Sequence, residues 1–175
     1  MAGKPRDEAE LRVALIDQLA YLLREIEALQ QVIDLVPEPL QTARPLPEEP
    51  SLRETYGMLA AADERVFLPT IRALVAGQTE ALALPDDRAL QEAEDWNAQP
   101  LSAILERLQQ ARRELVALLR QASPEVWERT VRCGEEAWDL YRYAYFIIQH
   151  DTELLRALAY RLHAAHLPGR PRPVV

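Results

Sequence analysis

The chain has 175 residues, 49% of them hydrophobic, with 20 basic against 28 acidic side chains and a formal net charge of -8. That length and hydrophobicity suit one globular domain with a substantial core and exclude a disordered chain. The acidic excess argues against a general nucleic-acid binder, which needs a cationic footprint.

With one cysteine, Cys133, no intramolecular disulfide can form, and a reducing cytoplasm is the expected compartment. The N-terminus shows no apolar stretch of a secretory signal. No run of about 18 apolar residues is present to span a membrane.

Residues 1–6 and 167–175 read as flexible tails. Helix 1 is predicted from Asp7 to Leu35, because Leu15, Leu19, Leu22, Ile26, Leu29 and Ile33 advance in alternating steps of four and three. Ile16 and Leu23 widen that stripe beyond a coiled-coil seam, as a bundle core requires. Residues 36–50 carry five prolines and predict an extended, stiff connector.

Helix 2 is predicted from Ser51, with Glu54 completing a capping box, to a stop at Gly77. Its stripe is Leu52, Tyr56, Leu59, Asp63 and Val66, so an acid falls on the seam. Pro69 should kink its last turns. Residues 78–98 read as a long crossover holding a short helical piece, packed by Trp96.

Helix 3 is predicted from Pro100 to Ala122 on the stripe Leu101, Ile104, Leu108, Ala111, Leu115, Leu118 and Ala122. Ser123-Pro124-Glu125 starts a short helix, and Trp127 is expected to plug the bundle end. After a turn at Cys133-Gly134, helix 4 runs to about His166. Its apolar seam is Tyr141, Ala144, Ile148, Leu155, Leu158 and Leu162, with Asp151 lying on it and His150 beside it. No alternating strand pattern is visible. The fold class is therefore all-α: a four-helix bundle with a long helix 2–helix 3 crossover, in one domain over residues 1–175.

The chemistry of common metal and nucleophile motifs is missing. There is no Glu-x-x-His, His-Glu-x-x-His, Cys-x-x-Cys, Gly-rich phosphate loop or Gly-x-Ser-x-Gly. Cys133 reads as a small residue at a turn, and His163 with His166 as charges suited to a helix C-terminus. The tyrosines and Trp138 of helix 4 read as core. His150, Asp63 and Asp151 are the polar residues on the inner faces. They form either a satisfied buried cluster, with His150 or an arginine against Asp63 or Asp151, or a sparse metal site in which His150 and Asp63 are two ligands and Glu64 or Glu153 a third.

Three segments resemble the DinB-like (damage-inducible, YfiT-like) four-helix-bundle family. SLRETYGMLAAADERVFLPTI is similar to the family's second helix. PLSAILERLQQARRELVALLRQASPEVWERT is similar to its third helix and the following turn, with the arginine at Arg112 or Arg113. IIQHDTELLRAL is similar to the His-Asp-x-x-His-Leu segment of its last helix. The resemblance implies a site in which three histidines hold nickel or zinc, one from helix 2 and two from the last helix at i and i+4. It also implies metal-dependent thiol transfer or isomerisation where that site is intact.

Carried over by position, the last-helix pair is His150 and Leu154, and the helix 2 ligand falls at Met58 or Leu59. One of three ligands remains. The expectation is a cytoplasmic bundle without the metal centre and with no cofactor. It would bind a small molecule or a protein through a pocket near Met58, Asp63, His150, Asp151 and Leu154. The alternative is a thiol S-transferase-like enzyme with an altered nickel or zinc site around His150, Asp63 and Asp151. A homodimer is expected from the family, and a purely structural dimerisation module is a third reading. Neither nucleic acid nor membrane is expected as a partner.

Overall fold

A computed structural model describes residues 7–44, 46–78 and 80–165. Helix α1 covers Glu8–Val32 and continues as a 3-10 turn over Ile33–Leu35. The short α2 covers Glu38–Thr42. Helix 2 of the bundle is α3, Leu52–Ala62, followed by a π turn at Asp63–Phe67 and by α4, Leu68–Val75. The crossover holds α5, Asp87–Glu92, and a 3-10 turn at Trp96–Ala98. Then come α6, Leu101–Gln121, and α7, Pro124–Glu128. A hairpin of β1, Val131–Cys133, and β2, Glu136–Trp138, leads into α8, Leu140–Ala165. The tails expected at 1–6 and 167–175, and His166, lie outside the described residues.

The long helices form a bundle in which α1 and α3 each pack on α6 and on α8. Consecutive bundle helices α1 and α3 therefore lie across a diagonal, and the chain between them must traverse one end of the bundle. This is why the proline-rich stretch is long. It is not wholly extended as expected: α2 forms within it. Pro37 sits at the N-cap and Pro39 in the first turn, where a missing N–H costs no helical bond. Gln41 then donates to the Val36 carbonyl at 2.8 Å, and the buried Arg53 donates to Gln41 at 3.1 Å and to Glu38 at 3.1 Å.

Helix 2 starts where the capping box places it. Ser51 Oγ accepts from the Glu54 N–H at 3.1 Å, and the Glu54 carboxylate accepts from the Ser51 N–H at 2.8 Å. Its far end is closed by Gly77 at φ 69, with the Gln78 N–H on the Ala73 carbonyl at 2.8 Å. The disturbance expected from Pro69 is the π turn itself. Pro69 offers no N–H, so the turn before it widens, and the Leu68 N–H reaches back five residues to the Asp63 carbonyl.

The seam of α1 is buried at Leu15, Ile16, Leu19, Leu22, Ile26 and Ile33. In α8 the buried face is Leu140, Tyr143, Ala144, Ile147, Ile148 and Leu158. Leu162 is exposed there, which corrects its expected place on the seam. The face turns inward through Tyr143 and Ile147, residues that the 3–4 stepping from Tyr141 passes over. Tyr145 and Tyr160 are likewise exposed rather than core. Trp127 is buried at the bundle end under Arg12.

The hairpin was not anticipated from periodicity, because three residues per strand give too short an alternation. Its turn uses Gly134 at φ 60. It pins the crossover through the Leu82 N–H on the Arg132 carbonyl at 2.7 Å, and α8 adds a second tie, with Tyr143 Oη donating to the Ala83 carbonyl at 2.7 Å. Among the described residues no helix is long and apolar enough to cross a membrane.

Trp96 lies flat against α3 because position 57 has no side chain. A Cβ on Gly57 would stand 2.2 Å from the Trp96 ring. The indole is fixed by its N–H on the Leu90 carbonyl at 3.0 Å and by the Arg107 guanidinium over its face. Alanine is the better helix former by about 1 kcal/mol. The clash should nevertheless dominate, and Gly57→Ala should lower the unfolding free energy by about 1–3 kcal/mol in urea titrations.

Candidate functional site

The inner acids of the sequence meet a single arginine. Arg112 of α6 is fully buried, as is Asp63 at the start of the π turn, and Asp151 of α8 is nearly so. Arg112 Nε donates to Asp63 Oδ2 at 2.7 Å, and Nη2 to Asp63 Oδ1 at 2.8 Å. Nη1 donates to Asp151 Oδ2 at 2.7 Å and Nη2 to Asp151 Oδ1 at 3.2 Å. The planar fork of the guanidinium thus takes one carboxylate on each edge.

Burial works against the charged form of all three groups. For Arg112 the two carboxylates outweigh it and raise the pKa. For Asp151 burial is outweighed by Arg112 and His150, which hold the carboxyl below its ordinary range. For Asp63 burial wins, and its pKa is pushed up to about 6 despite Arg112.

His150 sits one residue before Asp151 and is buried, edge-on to Phe67 at 5.4 Å between ring centroids and beside Phe146 at 6.5 Å. Its Nε2 lies 2.9 Å from Asp87 Oδ1, a residue of the crossover helix α5. Its Nδ1 faces Asp151 Oδ1 at 3.8 Å, too far for a hydrogen bond, and has no other partner among the described residues. Burial lowers the pKa of His150, but Asp151 and Asp87 together more than compensate, and the net shift is upward. A chain of polar side chains therefore runs from Asp63 through Arg112, Asp151 and His150 to Asp87.

Asp87 opens onto a cleft of about 850 Å³ between the proline-rich connector and α5. Met58 and Trp96 supply its buried floor, Arg44 and Glu54 one wall, and Asp87 and Gln91 the other. The Arg44–Glu54 ion pair ties the connector to α3. Beside the cleft, Arg107 bridges Glu64 at 2.7 Å and Glu94 at 2.8 Å.

Of the sequence-based candidates, Met58 lies in the cleft and His150 behind its wall at Asp87. Asp63 and Asp151 are engaged deeper in the core by Arg112, and Leu154 is half-buried on α8 outside the cleft lining. Cys133 is buried, and burial raises its thiol pKa, which disfavours the nucleophilic thiolate. His163 is exposed. Sequence reasoning missed Asp87 and the Arg107 bridge. Asp86-Asp87 after Pro85 signals only a helix start, which is what Asp86 provides by capping Ala89.

The family profile described as the DinB superfamily matches residues 21–153. The chain belongs to the DinB superfamily. Among solved structures it is similar to YfiT from Bacillus subtilis, described as a probable metal-dependent hydrolase with an unusual four-helix bundle topology. The TM-score is 0.76 at 15% identity, over 94% of this chain and 93% of that one. No curated sequence matches this chain. The likeness shows the fold, and the DinB-like four-helix bundle expected from the sequence is the one observed.

The donor set does not fit the three-histidine centre that the family resemblance implies. Among the described residues no group of three or more His, Cys, Asp or Glu side chains is placed to hold a metal ion. Met58 or Leu59, and Leu154, stand at two of the implied positions, and the third, His150, has its cleft-side nitrogen on a carboxylate. Asp63 has both oxygens on Arg112.

Removing Arg112 strands two buried carboxylates. Arg112→Met should cost about 3–5 kcal/mol in chemical denaturation, and adding Asp63→Leu with Asp151→Leu should recover most of that loss. The histidine gives a pH signature. Its pKa is higher folded than its ordinary 6.5, so its stabilisation is complete below that value and fades as pH rises through the folded value. The melting temperature should fall as pH rises above the ordinary value of 6.5, and His150→Gln should flatten that slope.

Proposed function

We propose that this DinB-superfamily chain has no metal-dependent activity and binds a small organic molecule in the cleft above Met58. The observation that carries the reading is the state of His150: Nε2 on Asp87, with Met58 or Leu59, and Leu154, at the other implied ligand positions. An apolar floor of Met58 and Trp96 under polar walls supplied by Glu54, Asp87, Gln91 and Asn97 matches the chemistry of small-molecule pockets. The working unit we propose is the single 175-residue domain, in the cytoplasm and as a homodimer. The exposure of Val32 (45%), Leu35 (79%) and Leu40 (47%) at the end of α1 and in α2 supports the dimer.

A second reading, metal chemistry at an altered site around His150, is favoured by the description of YfiT as a probable metal-dependent hydrolase. In the thiol-transferase form expected from the family resemblance, His150 would be the remaining ligand. The chemistry a bound divalent ion would supply is activation of a thiol or water. Metal analysis of the untagged protein by mass spectrometry separates the two. The expected result is less than about 0.1 equivalent of nickel or zinc after gel filtration, with no saturable uptake on titration; such an ion, if held, would be retained with its ligands. Stoichiometric metal that is lost in His150→Ala would overturn the proposal in favour of the enzyme.

A further inference from the structure

We infer that the Asp87–His150 hydrogen bond acts as a metal-free clasp, joining the crossover helix α5 to α8 on the face of His150 that a metal would otherwise use. The inference rests on the proposed absence of a metal centre and adds to it what replaced the ion and what the replacement does. The two nitrogens of His150 are not equivalent. Nδ1 faces the core carboxylate of Asp151, so only Nε2 is directed toward the cleft. That nitrogen meets Asp87 Oδ1 at 2.9 Å. A metal entering from the cleft would have to displace Asp87 or share it.

The rest of α5 needs such an attachment. It has six residues, too few to be stable alone. It buries Leu90 against the core and offers the Leu90 carbonyl to the Trp96 indole. Its Arg88–Glu92 pair lies within the helix and is solvent-exposed, so it ties α5 to nothing else. The Asp87–His150 pair, by contrast, spans 63 positions of sequence and ends on a side chain that is 94% buried, 6% of it remaining exposed. It is a charge-assisted bond to a rigid bundle helix, and Asp87 is at once a wall of the cleft. The clasp therefore fixes the cleft's width without a cofactor.

Amide hydrogen exchange over residues 87–92 tests this in the full-length protein, with wild type, Asp87→Asn, His150→Gln and the double variant, each with and without EDTA. The clasp predicts that EDTA leaves wild type unchanged. It predicts that each single variant exchanges faster by on the order of tenfold in α5, while α6 stays protected. The double variant should be no faster than either single one, because both remove the same bond. Faster α5 exchange in wild type on adding EDTA would show a metal holding the segment, and would overturn both the clasp and the metal-free reading. Unchanged exchange in Asp87→Asn, or strict additivity in the double variant, would overturn the clasp alone while EDTA insensitivity leaves the metal-free reading standing.

Discussion

One guanidinium between two carboxylates organises the bundle. Arg112 draws together the π turn after α3, the middle of α6 and the middle of α8, so three of the four long helices are held in register at a single buried point. Buried ion pairs contribute little net stability compared with apolar packing, because each charge must leave water. They do penalise every arrangement that leaves a charge unpaired. A helix rotated by one position would bury a bare carboxylate here, and that constraint fixes which faces of α3 and α8 meet.

The consequences reach the surface through His150. Asp151 sits on the bundle seam because Arg112 requires it, and its neighbour His150 is thereby turned between Phe67 and Phe146 with one nitrogen inward and one toward the cleft. Asp87 completes the series. The crossover is thus tied to the same electrostatic chain that aligns the helices. The π turn belongs to this logic too. Pro69 disrupts the helical bonding just beyond Asp63, and the widened turn starts at the residue whose carboxylate must reach Arg112.

Much of this was legible in the sequence. The heptad-like steps of α1 and α6 marked buried faces because 3.6-residue periodicity leaves few alternatives over six turns. The acids Asp63 and Asp151 stood out because they occupied apolar positions, with His150 or an unspecified arginine as their expected partner, and the family resemblance marked Arg112 or Arg113 only as the arginine of the third helix. Geometry selects Arg112, which is buried, whereas Arg113 lies on the exposed face against Glu27. Short elements were the least legible. α2 and the hairpin are each set by a few local bonds, and neither has enough residues to display a period. Asp87 could not have been assigned to His150, since nothing in a sequence links a loop acid to a histidine 63 residues later. The seam of α8 misled at Leu162 because the buried face follows Tyr143 and Ile147, and at this turn Arg161 rather than Leu162 reaches α3, donating to Thr55 Oγ1 at 3.1 Å.

The most direct test of this account is the protonation of the His150 imidazole, read by long-range nitrogen–proton NMR of the full-length protein near neutral pH. The account predicts a proton on Nε2, donated to Asp87, and a spectrum unchanged by EDTA. An unprotonated Nε2 whose resonance shifts when EDTA is added would place a metal on that nitrogen and contradict it.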